Sequence, residues 1–199
     1  MPLFLAPPMS PQSAIFIVWD VWAISWMVAA LWADRATQRV GFIEQAPYWA
    51  ITGTGAALLL VVRSHNGRGP GRLWDVGDAF GWALVAAAAA GFGFCWWARL
   101  HLGRLWSGWV TRKADHRIVD TGPYALVRHP IYTGLIAAAF ATGVLRGTVF
   151  SLGGAVLMTL GFWIKARLEE RFLRRELGAE AYDAYRLRTP MLVPFLKGL

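Results

Sequence analysis

Residues 122–134 read Gly-Pro-Tyr-Ala-Leu-Val-Arg-His-Pro-Ile-Tyr-Thr-Gly, and they join a basic, polar segment to a long apolar run. The opening Gly-Pro pair predicts a turn, because a proline keeps the residue before it out of the helical region. Pro130 suits the first turn of a new helix, where its missing N–H costs nothing. The unpaired N–H groups of that turn then face Arg128 and His129. The stretch predicts a helix start that either seats an anionic group or contacts lipid headgroups.

The composition of the chain indicates an integral membrane protein. Of its 199 residues, 56% are hydrophobic and 16% are charged, whereas roughly a quarter are charged in an average globular chain. The 12 tryptophans and the long apolar runs favour the same class. The net charge of +8 does not indicate nucleic-acid binding, because the arginines flank apolar segments and form no soluble basic face. A single cysteine excludes an intramolecular disulfide and any multi-cysteine metal site.

Apolar segments of spanning length predict an all-α integral membrane fold with about five transmembrane helices. The charged segment 167–188 predicts a cytoplasmic amphipathic helix that continues the fifth span, with Gly178 ending its first part. Asp20 interrupts the first span. A lone acid in a span usually faces the bundle interior, unless the span begins later and the acid lies in the interface. The five predicted spans are 13–33, 46–62, 78–100, 130–145 and 148–165.

The distribution of basic residues predicts the orientation of the chain. In the five-span arrangement, 16 lysines and arginines lie on one side of the membrane and four lie on the other. The positive-inside rule places the C-terminus in the cytoplasm and the N-terminus outside. We predict two parts of the chain: residues 1–97, which hold three transmembrane helices, and residues 98–199, which hold a cytoplasmic loop, a helical hairpin and the C-terminal helices.

Two charged clusters are predicted to meet at the cytoplasmic ends of adjacent antiparallel helices. One is the junction 128–132, and the other is the pair Glu169-Glu170. Adjacent glutamates point about 100° apart on a helix, so at most one of them faces a given pocket squarely. Glu169, with Lys165 one turn earlier, is the better candidate. Glu170 is predicted to form a surface ion pair with Arg174, and the alternative for both glutamates is a solvated charged face.

The side-chain types in these clusters predict the kind of ligand. Imidazole, guanidinium, phenol and carboxylate groups suit a zwitterion that carries an amine, a carboxylate and ribose hydroxyls. A metal site is not expected, because the four histidines show no HxxxH or HxxE spacing. They are His65, His101, His116 and His129.

The motifs together resemble the isoprenylcysteine carboxyl methyltransferase family, part of a wider set of membrane methyltransferases that includes phospholipid N-methyltransferases. The resemblance rests on Arg-His-Pro-x-Tyr-x-Gly at 128–134, on Glu169-Glu170, and on a C-terminal pattern of glycine, two tyrosines and a final Pro-Phe-Leu-Lys-Gly. Residues 98–107 also resemble a stretch that precedes the core motif in many bacterial members. The similarity covers about residues 98–198. We therefore expect an enzyme of a bacterial inner (plasma) membrane.

The resemblance implies that S-adenosylmethionine binds in a cytoplasm-facing pocket and that a lipophilic acceptor reaches this pocket from the bilayer. The expected acceptor is a lipophilic small molecule or lipid-modified substrate, in the first place the carboxyl group of an isoprenylcysteine-like or isoprenoid compound. Membrane lipids are the other expected partners. The family's cofactor contacts fall on His116, Val119, Tyr124, His129, Pro130, Tyr132, Glu169 and Glu170.

Four residues are candidates for a catalytic role. Arg128 and Glu169 belong to the motifs quoted above. The resemblance places Lys165 where eukaryotic members have an arginine tied to the acceptor, with Arg167 as its substitute. Either cation suits an acceptor carboxylate, whereas Glu169 suits the cofactor amine or hydroxyls.

Three other functions stay open at this point. Sterol-reductase-type membrane proteins that use NADPH resemble the same C-terminal half, although they are generally longer. A phospholipid N-methyltransferase is a second alternative within the wider set. A third is a non-catalytic membrane protein whose basic C-terminal helix binds anionic lipid.

Overall fold

Helices form nearly all of the part of the chain that the structure describes. This structure is a computed structural model, and it describes residues 9–31, 38–39, 41–60, 71–103, 106, 111–112 and 118–196. Within these ranges one antiparallel pair of two-residue strands accompanies the helices, so the all-α prediction is confirmed apart from this pair. The elements are α1 (Pro11–Ala30), β1 (Gln38–Arg39), α2 (Phe42–Leu60), α3 (Asp78–Leu102), β2 (Thr111–Arg112), α4 (Pro123–Leu126), α5 (Pro130–Arg146), α6 (Val149–Leu177) and α7 (Ala179–Arg188).

Each of the five predicted spans coincides for most of its length with a helix of the described residues. Among the described residues, α1, α3 and α6 are long and apolar enough to cross a membrane, and α5 is a shorter apolar helix of 17 residues. These helices support an integral membrane protein, while the number of five spans and their orientation stay predictions. Helix α6 continues past Lys165 to Leu177, and Gly178, with a φ of 95°, ends it as predicted. The amphipathic character of the segment 167–188 stays a prediction.

The helices pack in pairs that join the two halves of the chain. Helix α2 lies along α6, and α3 lies along α5, while α5 and α6 form an antiparallel hairpin. One apolar core runs through α1, α2, α3, α5 and α6. The predicted boundary between residues 97 and 98 falls inside α3. The division into an N-terminal and a C-terminal part stays a prediction.

Glycines bring the paired helices into backbone contact. A Cβ atom placed on Gly91 of α3 would lie 2.6 Å from the carbonyl oxygen of Gly134 in α5. A Cβ atom on Gly154 of α6 would lie 2.6 Å from the carbonyl oxygen of Gly55 in α2. Small residues allow such approach in membrane helices, where packing rather than hydrophobic burial drives association. These two contacts fix how closely α5 and α6, which carry the site residues, approach their neighbours.

The turn between α5 and α6 follows from local chemistry. Helix α5 ends at Arg146, and Gly147 takes a left-handed conformation with φ 61° that costs glycine little. Thr148 then caps α6 through a capping box with Ser151. The predicted helical hairpin is confirmed, and its turn lies at Arg146-Gly147.

Replacing Gly91 by alanine is expected to destabilise the protein by about 1–3 kcal/mol, because the added methyl group meets backbone that cannot move aside locally. The measurement is the free energy of unfolding in mixed micelles, from titration with a denaturing detergent. Gly93→Ala is the matched control on the same helix, since a Cβ atom placed there would have no atom of the described residues within 4 Å. Equal stability of the two variants would show that α3 and α5 are not in backbone contact.

Candidate active site

Arg128 ties the C-terminal segment to the start of α5. Its Nε donates to Oε1 of Glu170 at 2.7 Å, and both side chains are buried. Its Nη1 donates to the carbonyl oxygen of Arg186 at 3.1 Å and to that of Thr189. The Arg128 backbone N–H donates to the carbonyl of Pro190 at 2.8 Å. The guanidinium is therefore engaged by one carboxylate and two carbonyls.

Residues 189–192, which we call the C-terminal strap, also accept hydrogen bonds from residues that follow Arg128. The backbone N–H of His129 donates to the carbonyl of Met191 at 3.1 Å. The hydroxyl of Thr133 donates to the carbonyl of Leu192 at 2.6 Å. The strap thus binds two backbone N–H groups before Pro130 and one side-chain hydroxyl after it, where α5 begins.

His129 lies between the two glutamates of α6. Its Nδ1 is 3.5 Å from Oε2 of Glu169, and its Nε2 is 3.3 Å from Oε1 of Glu170. The two charged clusters predicted to meet are therefore in contact. Burial disfavours the charged imidazole, but hydrogen bonds to the two glutamates and their charges outweigh it and hold the pKa of His129 above its ordinary value. This arrangement favours an imidazolium.

Tyr132 orients Glu169 toward the cavity described below. Its hydroxyl donates to Oε1 of Glu169 at 2.7 Å. Its ring stacks on His129, with centroids 5.4 Å apart, and on Phe162, with centroids 5.2 Å apart. The two carboxylate oxygens of Glu169 thus meet different partners, a phenol and an imidazole, and both partners belong to the motif at 128–134.

The predicted surface ion pair between Glu170 and Arg174 is wrong. Glu170 is buried and bonded to Arg128, 42 positions away in the sequence. Arg174 instead contacts Asp183 of α7, with Nη2 and Oδ2 2.8 Å apart. The i,i+4 rule applies to exposed helix faces, and Glu170 lies on the buried face of α6. Glu169 faces the cavity, as predicted.

Lys165 reaches into an aromatic cluster that α2 completes. Its Nζ lies 5.2 Å from the ring centroid of Tyr48, 5.8 Å from that of Trp49 and 5.3 Å from that of Tyr132. These distances fit cation–π contacts. Arg167 lies on the exposed side of α6 over Trp163, and it does not line the cavity.

A cavity of about 550 Å³ opens in front of these residues. Its polar end is formed by the motif at 128–132, by Lys165 and Glu169, and by tyrosines of α4 and α7. Aromatic and apolar side chains of α1, α2, α5 and α6 form much of the remaining lining. They are Trp19, Trp22, Trp26, Trp49, Ala56, Leu135, Met158 and Phe162.

The structure brings most of the predicted site residues together. Those that line the cavity are Val119, Tyr124, Arg128, His129, Pro130, Tyr132, Lys165 and Glu169. Glu170 stands behind His129 and Arg128 and is not part of the lining. His116 lies outside the described residues. The assigned roles of all these residues stay predictions.

The sequence did not predict that side chains of α1, α2 and α7 line the cavity. The tryptophans at 19, 22 and 26 recur at helical spacing, and this spacing was the available signal that they share one face. Tyr48 and Trp49 of α2 follow no pattern of this kind. Tyr182 and Tyr185 also line the cavity. The hydroxyl of Tyr185 donates to the carbonyl of Tyr124 at 2.7 Å, which joins α7 to α4.

The family of this segment follows from comparison with known proteins. Residues 84–175, which include α5 and most of α6, match the model of the isoprenylcysteine carboxyl methyltransferase (ICMT) family. This match to the family covers just under half of the chain. The ICMT segment contains both halves of the charged cluster, the motif at 128–134 and the glutamate pair. It therefore confirms the resemblance drawn from those residues.

Three proteins similar to this chain are named as methyltransferases. Protein-S-isoprenylcysteine O-methyltransferase of Schizosaccharomyces pombe is 34% identical over 89 residues, which are 43% of this chain and 36% of the relative. Its Arabidopsis thaliana counterpart B is 31% identical over 88 residues, 44% of each chain. Methanethiol S-methyltransferase of a Pseudomonas species is 44% identical over 71 residues, 36% of this chain and 26% of the relative. The chain thus spans less than half the length of these relatives.

The charge on His129 predicts how stability changes with pH. Because its pKa in the folded protein is raised above an unfolded value of about 6.5, its stabilising contribution is fully present below that pH. The contribution is lost as the pH rises through the pKa that His129 has in the folded protein. The free energy of unfolding of the wild type minus that of His129→Gln should therefore fall as the pH rises above about 6.5. A difference that stays constant or grows with pH would contradict the imidazolium assignment.

Proposed function

We propose that this chain is an S-adenosylmethionine-dependent integral membrane methyltransferase whose acceptor is a lipophilic carboxylate, as in isoprenylcysteine-like or isoprenoid acids. One observation carries the proposal. The polar cluster of His129, Tyr132 and Glu169 lines the same cavity as three tryptophans of the candidate membrane span α1. A polar cofactor and an apolar acceptor therefore meet in one cavity.

The residues of the polar end fit the chemical groups of this cofactor. Glu169 offers carboxylate oxygens suited to an ammonium group or to ribose hydroxyls. The neighbouring aromatic rings, including Tyr124 and Tyr132, suit a flat base and a sulfonium cation. When bound, S-adenosylmethionine supplies an electrophilic methyl group. The protein's own contribution is to orient the reactants and to exclude water.

The charges around the cavity favour an anionic acceptor. Among the described residues at the polar end, Arg128, Lys165 and a protonated His129 set three positive charges against the two of Glu169 and Glu170. This excess of positive charge favours a carboxylate as the acceptor. The buried ammonium of Lys165, on the cavity wall, is the group we assign to the acceptor carboxylate.

The state of His129 also bears on the type of acceptor. Both ring nitrogens face carboxylates, so the imidazolium has no lone pair with which to accept a proton. Burial raises the pKa of Tyr124 above its ordinary value, so this phenol also stays protonated. A neutral or protonated amine would need a base to lose its proton, whereas an ionised carboxylate needs none. A carboxylate acceptor therefore fits a site in which both His129 and Tyr124 are protonated.

Calorimetric titration of the detergent-purified protein tests the cofactor. S-adenosylhomocysteine is expected to bind in the micromolar range, and NADPH, titrated in parallel, is expected not to bind. Binding of NADPH alone would replace the proposal by a sterol-type reductase. Binding of neither compound would favour a non-catalytic membrane protein.

Transfer of radiolabelled methyl groups from S-adenosylmethionine tests the acceptor. N-acetyl-S-farnesylcysteine, which has a free carboxylate, is expected to be labelled, and its carboxamide is the matched control. Vesicles that contain phosphatidylethanolamine provide the amine acceptor. Labelling of the amine lipid alone would identify a phospholipid N-methyltransferase and overturn the carboxylate assignment.

Replacing Lys165 by methionine is expected to lower kcat/KM for the carboxylate acceptor about tenfold or more, since a charge-assisted hydrogen bond contributes about 1.5–3 kcal/mol. Binding of S-adenosylhomocysteine should change much less. Arg167→Ala is the matched control, because Arg167 is exposed and outside the cavity lining. If Arg167→Ala were the more damaging change, the acceptor role would belong to Arg167.

A further inference from the structure

The lining of the cavity stops at the same depth on α2 and α6. On α6 the lining residues recur every three or four positions from Glu169 back to Met158, and on α2 they run forward to Ala56. Gly55 and Met158 are in contact, since a Cβ atom placed on Gly55 would lie 2.7 Å from the backbone nitrogen of Met158. Ala56 and Met158 are therefore at about the same depth in the helix bundle.

Core side chains fill the space beyond this depth on all four helices. One turn past the last lining residue of α1, α2, α5 and α6, the side chain belongs to the apolar core and does not line the cavity. These four side chains are Ile15, Leu59, Ala139 and Ala155, and each is 0% exposed. Among the described residues the cavity therefore closes at Met158 and Ala56, which we call the cavity floor.

Helix α1 presents tryptophans, and not its acidic residue, to the cavity. Trp19, Trp22 and Trp26 are part of the lining, whereas Asp20 is exposed and lies outside it. The expectation that Asp20 faces the bundle interior is therefore wrong. The wall that α1 contributes above the cavity floor is aromatic and uncharged, which suits an apolar chain.

We propose that the cavity floor, Met158 and Ala56, limits the length of the apolar chain that an acceptor carries. The inference rests on the proposed function, in which Lys165 holds the acceptor carboxylate. Lys165 and Glu169 lie seven and eleven residues from Met158 on α6, so the floor is about 10 Å and about 16 Å from them along the helix axis. An extended chain advances roughly 1.2 Å per bond, so an isoprene unit of four bonds occupies about 5 Å. Two or three units fit above the floor, and a fourth does not.

The alternative path for the chain leads sideways between the helices into the bilayer, where its length is unrestricted. A chain that took this path would leave the apolar space above the floor empty, and the lining would lose its dispersion contacts there. A chain that runs down α6 instead packs on Phe162 and Met158, and both of these side chains are buried. Filling the cavity is therefore the favoured arrangement, and the sideways path is an outcome of the test below.

Methyl transfer from S-adenosylmethionine to N-acetyl-S-geranylcysteine and to its farnesyl and geranylgeranyl homologues tests the floor. For the wild type, kcat/KM for the geranylgeranyl acceptor is expected to be about tenfold or more below that for the farnesyl acceptor, because the extra unit overpacks the cavity. Met158→Ala should bring these two values close together, since truncation leaves room for further carbons. Ala56→Phe should lower kcat/KM for the farnesyl acceptor about tenfold relative to the geranyl acceptor.

Each comparison is a ratio of two acceptors on one preparation, so a loss of folded protein in a floor variant cancels. Leu160→Ala and Ala57→Phe are the matched controls, because both positions are exposed and outside the cavity lining, and both variants should keep the wild-type ratios. Equal kcat/KM for the three acceptors in the wild type, or wild-type ratios in both floor variants, would overturn the inference and favour the sideways path. Transfer to none of the three acceptors would overturn the proposed function, and this inference with it.

Discussion

Arg128→Ala is expected to lower the free energy of unfolding by about 3–5 kcal/mol, the usual effect of removing one partner of a buried ion pair. The change leaves the buried carboxylate of Glu170 without its guanidinium. It also removes the donor that holds the carbonyls of Arg186 and Thr189. The measurement is denaturing-detergent titration in mixed micelles. S-adenosylhomocysteine affinity should fall with stability, since the strap positions His129.

The Arg128 prediction has two controls. Arg174→Ala removes an exposed arginine from its pair with Asp183 and should leave stability nearly unchanged. Arg128→Ala combined with Glu170→Gln should recover part of the loss, because the double variant has no unpaired buried charge. If Arg128→Ala were as stable as Arg174→Ala, the pair with Glu170 would not form. If Arg128→Ala were stable but unable to transfer a methyl group, Arg128 would be a catalytic residue and not a positioning one.

Glu169→Gln is expected to weaken S-adenosylhomocysteine binding roughly 10- to 150-fold, which corresponds to the 1.5–3 kcal/mol of a hydrogen bond to a charged group. The amide keeps the shape of the side chain and its contact with Tyr132, but it cannot offer a carboxylate to an ammonium group or to two ribose hydroxyls. The measurement is calorimetric titration of the variant and the wild type under the same conditions.

The two neighbouring glutamates should behave differently. Glu170→Gln weakens the pair with Arg128, so it should reduce stability more than cofactor affinity. Glu180→Gln, on the exposed surface of α7, should change neither quantity. If Glu170→Gln lost cofactor affinity and Glu169→Gln kept it, the assignment of the pair would have to be reversed.

The helices could be predicted from sequence because hydropathy and local chemistry determine them. Pro130 begins α5, Gly147 turns the hairpin and Gly178 ends α6, and each position acts through its own backbone preferences. The contact between 128–132 and the glutamate pair also followed from topology, since two antiparallel neighbours bring those ends together.

The partners of individual side chains could not be predicted in the same way. The spacing of Glu170 and Arg174 favours an exposed pair, but packing buries Glu170 and brings Arg128 to it. Tyr48 and Trp49 reach Lys165 because α2 packs along α6 at Gly55 and Gly154. No sequence pattern within α2 predicts that contact with Lys165. Long-range packing therefore determines which residues form the walls of the cavity. The family resemblance, by contrast, predicted most of the residues at its polar end.

The C-terminal strap has a consequence for biosynthesis. The ribosome delivers α5 and α6 to the membrane before it has made residues 189–192, whose carbonyls bind Arg128, His129 and Thr133. A nascent chain with all its apolar helices inserted therefore still lacks a finished site. A premature stop after Arg188 would yield a protein that inserts but cannot order the start of α5. Synthesis of residues 189–192, and not insertion of the apolar helices, is therefore the step at which we expect the site to be completed.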